Sequence, residues 1–138
     1  MSDRLTTEEV ARVAEFRAAL RRFLRTTERN ARSAGLTPQR YLLLLMIKGA
    51  PDGSEQSTVT DLAQRLQLAQ STVTELVSRA EEIGLVERER SSEDGRVAIL
   101  RLTPEGDRRL AQVFTSNERE RQALTRAFEQ LQSTGLPT

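Results

Sequence analysis

Residues 60–102 read TDLAQRLQLAQSTVTELVSRAEEIGLVERERSSEDGRVAILRL. The first part has helical periodicity: Thr60 stands at a cap position, Asp61 follows in the first turn, and Leu62, Ala63 and Leu66 form an inner face. After a brief turn at residues 67–69, a second periodic segment runs to about Ile83, where Gly84 stops it. Residues 85–90 and 97–102 then have strand character on either side of Ser91-Ser92-Glu93-Asp94-Gly95-Arg96, and Asp94-Gly95 is a strong reverse-turn signal. Two short helices joined tightly and followed by a hairpin form a winged helix-turn-helix. That arrangement sets one helix in the major groove of DNA with a wing beside it.

The second of the two helices has two distinct faces. With Val73 as reference on a helical period, Leu76, Val77, Ala80 and Ile83 cluster and are expected to bury. Ser71, Thr74, Glu75 and Ser78 project away, near the N-terminal end that meets base edges, and Gln70 and Thr72 accompany them there. Short polar side chains let the backbone approach DNA, their hydroxyls serve phosphates or bases, and Glu75 has the chemistry to accept from a cytosine amine. A polar helix face is often merely solvated; the hairpin shifts the balance. Arg96 directly follows Asp94-Gly95, and Asp94 is expected to hold its guanidinium in a fork that faces the negative minor groove. Arg88 and Arg90 add positive charge to the first strand.

On the N-terminal side, Thr6-Thr7-Glu8-Glu9 has the form of a capping box, and Val10, Val13, Ala14, Leu20, Phe23 and Leu24 recur near the helical period until Gly35. Thr37-Pro38 caps a further helix whose residues 41–47 are apolar on every side, as befits a core element. Asp52-Gly53-Ser54 is a turn, and Thr58-Val59 is read as a short strand. On the C-terminal side, Thr103-Pro104 starts a helix with Leu110, Val113, Phe114, Leu124, Phe128 and Leu131 as apolar positions. Its residues 115–122 are wholly polar, so it is read as one long helix crossing solvent, with a second helix capped within 117–120 as the other option. The fold class is mainly α with a small β-hairpin wing (α+β). A single domain spans 1–138, with the winged helix-turn-helix at 37–102 and helical segments at 1–34 and 104–132.

Composition narrows the function. The chain has 138 residues, 37% hydrophobic and 30% charged, with no cysteine and no histidine. Disulfides, thiolate metal sites and thiol redox chemistry are excluded, the commonest general base is missing, and no acidic pair stands in an apolar setting; the chain is not read as an enzyme. No metal site or cofactor is expected. The longest apolar run is far below the ~20 residues of a membrane span, and Met1-Ser2-Asp3-Arg4 opens no apolar leader, so no membrane role and a cytoplasmic location are expected. The net charge is only +1, and its distribution is uneven. Residues 54–84 hold two arginines against five acids, residues 85–102 four against four, and residues 1–34 eight against five. Attraction to phosphate therefore rests on a few placed arginines: Arg88, Arg90 and Arg96.

Several segments in order carry a resemblance: Leu36-Thr37-Pro38-Gln39, Thr60-Asp61-Leu62-Ala63, Ser71-Thr72-Val73-Thr74 with Arg79 beyond, Gly84-Leu85-Val86-Glu87-Arg88, Asp94-Gly95-Arg96, and Leu102-Thr103-Pro104-Glu105-Gly106. Through them the chain resembles, over essentially its whole length, the MarR family of multiple-antibiotic-resistance regulators. The resemblance implies a homodimer whose first and last helices, 1–34 and 104–132, intertwine, and a repressor that binds a pseudo-palindromic operator in double-stranded DNA and is released by a small aromatic or anionic effector. By position, Ser71, Thr72, Thr74 and Glu75 lie on its recognition helix and Asp94 with Arg96 match its wing pair. Where many members carry arginine, this chain has Glu75.

Dimerisation is assigned to Phe16, Leu20, Phe23, Leu124, Phe128 and Leu131, because a polar-then-apolar distal helix has little else in one chain to cover it. Intrachain core is the other reading of those six. Arg17, Arg21 and Arg40 are candidates to meet an anion. Two rival functions share the pattern. An ArsR-type sensor would need all-oxygen metal ligands here, and a winged helix can also serve as a protein-interaction module without specific DNA binding.

Overall fold

A computed structural model describes residues 4–133; residues 1–3 and 134–138 of the expected 1–138 domain lie outside the described residues. The elements are α1 (Thr7–Ser33), α2 (Pro38–Lys48), α3 (Val59–Leu66), α4 (Gln70–Glu82), β1 (Val86–Arg90), β2 (Ala98–Leu102), α5 (Pro104–Ser116) and α6 (Glu118–Gln132). They fall into two compact units, one spanning Ala31–Val113 and the other made of residues up to 30 and from 114 onward.

In the Ala31–Val113 unit, α2 is central. Thr37 caps it by accepting from the Arg40 amide at 3.1 Å, Pro38 occupies the first turn, and Leu43, Leu44 and Ile47 are fully buried. Leu42 is 41% exposed, so the run expected to be apolar-packed all round leaves one side open. Against α2 pack α3, α4 and β2, contributing Leu62, Ala63, Val73, Val77, Ala80 and Leu100 to one core with Leu110 and Val113 of α5.

The entry into α3 differs from expectation. Thr58, not Thr60, is the cap: it adopts the extended conformation a cap requires, and its hydroxyl accepts from the Asp61 amide at 3.1 Å. The strand read at Thr58-Val59 sits one residue earlier. Ser57 exchanges both backbone hydrogen bonds with Leu100, at 3.0 and 2.8 Å, so the chain is still strand-like at 57 and helical by 59. At the other end of α3, Gln67 turns the chain with a left-handed φ of 58°.

Helix α4 closes on Gly84, whose φ of 77° lets Leu85 donate back to the Ala80 carbonyl. The hairpin pairs Val86 with Leu102 and Arg90 with Ala98 in an antiparallel register. Thr103 closes the far end. Its hydroxyl donates to the Gly84 carbonyl at 2.6 Å and accepts from the Gly106 amide at 3.0 Å, while its own amide donates to the Leu85 carbonyl at 3.0 Å. Gly106 is buried there, and a Cβ on it would run into the carbonyl oxygen of Leu85.

In the other unit, α1 opens with the expected capping box: Thr6 Oγ1 accepts from the Glu9 amide at 3.1 Å, and Glu9 Oε2 from the Thr6 amide at 3.2 Å. The single long C-terminal helix gives way to two, α5 and α6, parted at Asn117. The Asn117 amide tightens onto the Phe114 carbonyl at 3.2 Å, and that carbonyl also takes Arg121 Nη1 at 2.6 Å. Asn117, only 1% exposed, accepts from Asn30 Nδ2 at 2.7 Å. The polar stretch thus supplies the groups that break the helix.

We expect Gly106→Ala to destabilise the protein by about 1–3 kcal/mol, because the added methyl meets backbone that cannot swing aside. Urea unfolding checks this: the midpoint falls while the slope stays constant.

Candidate nucleic-acid interface

The exposed face of α4 begins at Ala69, whose side chain makes no cap bond, and no acid stands in the first turn. The first amides of α4 thus lack a side-chain acceptor at the positively polarised end of the helix. Gln70, Ser71, Thr72, Thr74 and Glu75 are exposed there, and Ser78 is half-buried. Gln70 Nε2 reaches the Thr60 hydroxyl at 3.4 Å, linking the start of α4 to α3. On the opposite face Val73, Val77 and Ala80 are fully buried and Leu76 partly so. Ile83, expected to bury with them, is 47% exposed because it lies past the last helical residue, Glu82.

The wing sorts its charges by face. Along β1, Val86, Arg88 and Arg90 share one side and Glu87 and Glu89 the other. Arg101 crosses the hairpin to bind both glutamates at 3.0 Å. Arg88 makes three hydrogen bonds of 2.6 to 3.1 Å to the Glu81 carboxylate of α4, which raises the Arg88 pKa above its ordinary value. It is therefore a strut between the wing and α4. Arg90 Nη1 donates to the Gly95 carbonyl at 2.5 Å, bracing the loop.

At the tip, Asp94 Oδ1 accepts from the Arg96 backbone amide at 3.0 Å and the Asp94 carbonyl from the Val97 amide at 2.9 Å. The expected Asp94–Arg96 fork is replaced by this turn. Arg96 Nε lies 3.6 Å from Asp94, beyond hydrogen-bond length, and the Arg96 side chain is 94% exposed.

The contacts of three charged side chains of this surface escaped the reading of the sequence. Arg65 donates to the carbonyls of Met46 and Gly49, at 2.9 and 3.2 Å, and so ends α2. Glu81 holds Arg88, as above. Arg79 Nη2 binds Glu75 Oε1 at 2.8 Å, an i,i+4 pair in the favourable orientation that spacing alone makes visible. Among the described residues, no cluster of acids, histidines or cysteines has the makings of a metal site.

In the other unit, Phe16 and Phe128 meet with ring centroids 6.0 Å apart, so these two dimerisation candidates touch within one chain. Phe23 and Leu124 line a groove of about 770 Å³ formed by α1 and α6. Leu20 and Leu131 are partly buried, and Arg17 and Arg21 are exposed. No residue of α6 is buried, and Val10, Val13, Leu24 and Phe114 are each about half exposed. Arg40, the third anion candidate, lies instead beside α4 in the Ala31–Val113 unit.

A helix-turn-helix with a bare helix start, flanked by a hairpin with a cation at its tip, defines the winged helix-turn-helix class of transcription regulators. The MarR family model matches residues 34–97. An HTH-type transcriptional regulator of Bacillus subtilis, YsmB, is 28% identical over 118 residues, covering 83% of this chain and 78% of that protein. Matches to further curated regulators span about half of those proteins' length. The fold is similar to that of AbsC, a MarR family transcriptional regulator from Streptomyces coelicolor, with a TM-score of 0.67 at 22% identity over 94% of this chain and 84% of AbsC. It is likewise similar to an S. aureus MepR mutant bound to an oligodeoxyribonucleotide, with a TM-score of 0.66 at 19% identity over 88% of this chain and 83% of that one. Over residues 34–97 the chain is similar to the MarR family.

Two arginines of this surface have opposite expected roles in stability. Arg65→Ala leaves two helix-end carbonyls without their donor and is expected to cost about 1–3 kcal/mol. Arg96→Ala, at a solvated tip, is expected to stay within about 0.5 kcal/mol of the parent. Thermal melts of both variants check the contrast.

Proposed function

We propose that this chain is a DNA-binding transcription regulator that acts in the cytoplasm as a homodimer, represses from a pseudo-palindromic operator, and is released by a small aromatic or anionic effector. One observation carries the reading: the uncapped start of α4, with Ser71, Thr72 and Thr74 exposed, lies in one compact unit with a wing whose Arg96 side chain is 94% exposed. The hydroxyls and first-turn amides of α4 face phosphates and base edges, and Arg96 with Arg90 serves the minor groove.

A single winged unit of this kind is weakly charged, since residues 54–84 carry more acids than arginines. Symmetry compensates: two copies reading two half-sites double the phosphate contacts. The half-exposed apolar side chains of α1 and α6 are the surface such a dimer would cover. The same unit has groups that suit an aromatic anion, with Phe23, Leu124, Arg22 and Arg126 lining one groove. Among the described residues, no helix is long and apolar enough to cross a membrane.

The protein is expected to retard DNA from upstream of its own gene, with affinity falling steeply as salt rises, and Arg96→Ala is expected to weaken binding by about 1–3 kcal/mol. No specific retardation at low salt would sink the DNA reading. Light scattering should report twice the mass of one chain; a monomer at micromolar concentration rules out the symmetric operator.

A further inference from the structure

We infer that the groove between the start of α2 and the outer face of α4 is a grip for one DNA backbone phosphate, and that the Glu75 carboxylate occupies it in the free protein. The inference rests on the DNA-binding reading above and adds a site and a device to it. The groove encloses about 280 Å³ and is lined by Gln39 and Arg40 from α2 and by Thr72, Glu75 and Arg79 from α4. Two guanidiniums therefore share one small cavity on the side of α4, with Leu76 at its wall.

Their states differ. Arg79 is bound to Glu75 at 2.8 Å, with both side chains more than half exposed. The Arg40 guanidinium makes no hydrogen bond or ion pair among the described residues; its backbone amide alone is engaged, donating to the Thr37 hydroxyl. A planar guanidinium takes a carboxylate or a phosphate through the same donors. Glu75 is thus an internal anion at the spot where a phosphodiester, held by Arg79, Arg40 and the Thr72 hydroxyl, would sit.

An exposed pair of this kind is weak, so a phosphate that brings its own strong field displaces the carboxylate. Glu75 then opposes every DNA sequence alike by competing for Arg79 and by repelling the incoming charge. This role is distinct from that of a reader of cytosine, since Oε1 of the carboxylate is turned to Arg79.

Fluorescence anisotropy with a labelled duplex of random sequence tests the inference, since phosphate contacts are blind to sequence. Glu75→Gln is expected to bind about tenfold more tightly, with the slope of log affinity against log salt steeper by about 0.9, the share of one phosphate. Against an Arg79→Ala background the same change should give about threefold or less, and Arg40→Ala should weaken binding and flatten the slope by about 0.9. Equal gains from Glu75→Gln with and without Arg79 overturn the inference, because Glu75 would then act through bulk charge alone. A loss of affinity in Glu75→Gln, confined to duplexes with particular cytosines, overturns it in favour of base reading. If the parent and all variants fail to bind any duplex at low salt, the DNA-binding reading itself falls, and the grip with it. Glu75 and Arg79 are exposed and Arg40 is partly buried, and unchanged thermal melts confirm that the variants are folded.

Discussion

The hydroxyl of Thr103 touches both Gly84 and Gly106, and its amide touches Leu85. Those residues end α4, begin the wing and begin α5, so three elements share one knot of hydrogen bonds. The wing leaves that knot at Val86 and returns to it at Leu102, which are paired across the hairpin. Its base is therefore not a free loop. Gly106 lets α5 come down onto the Leu85 carbonyl, and Ser57, bridged to Leu100, steadies the second strand from the other side. With its base tied in this way, the hairpin carries its arginines at a defined angle to α4, and the Arg88–Glu81 strut repeats the constraint one step further out.

Electrostatically the winged unit is close to self-satisfied. Arg79, Arg88 and Arg101 each face a glutamate of the same unit. Such solvated pairs are individually worth about 0–1 kcal/mol, too little to hold the fold but enough to orient a long side chain. They set guanidiniums in place and mute the field that would attract nucleic acid indiscriminately. Arg65 and Arg90 are taken up by backbone carbonyls, while Arg96 at the tip is only loosely paired and Arg40 beside α4 is unpaired among the described residues.

Much of this was legible in the amino-acid order. Gly84, Asp94-Gly95, Thr37-Pro38 and Thr6 with Glu9 are local signals, and local backbone preference was enough to place the ends they mark. The errors arose where a decision depended on distant residues. Thr58 and Thr60 are equally good caps in isolation, and only the bridge from Ser57 to Leu100 selects Thr58. Residues 115–122 have no apolar period to read, and Asn117, where the helix breaks, is held by Asn30, far away in the sequence. At the interface the exposed hydroxyls of α4 followed from helical geometry. The engagement of Arg88 by Glu81 did not, because it joins a strand to a helix, whereas the Glu75–Arg79 pair is legible in its i,i+4 spacing.

Because β1 alternates arginine with glutamate, its two faces differ in sign rather than in hydropathy. A strand of this design has a parity. Loss or gain of one residue between Val86 and Arg90 would turn every glutamate beyond that point toward the side where arginines stand. Changes of two would leave the sign of each face intact. Over the history of such a chain, the wing is free to grow or shrink only by even steps, and the reach of its tip would vary in increments of two residues, about 7 Å each.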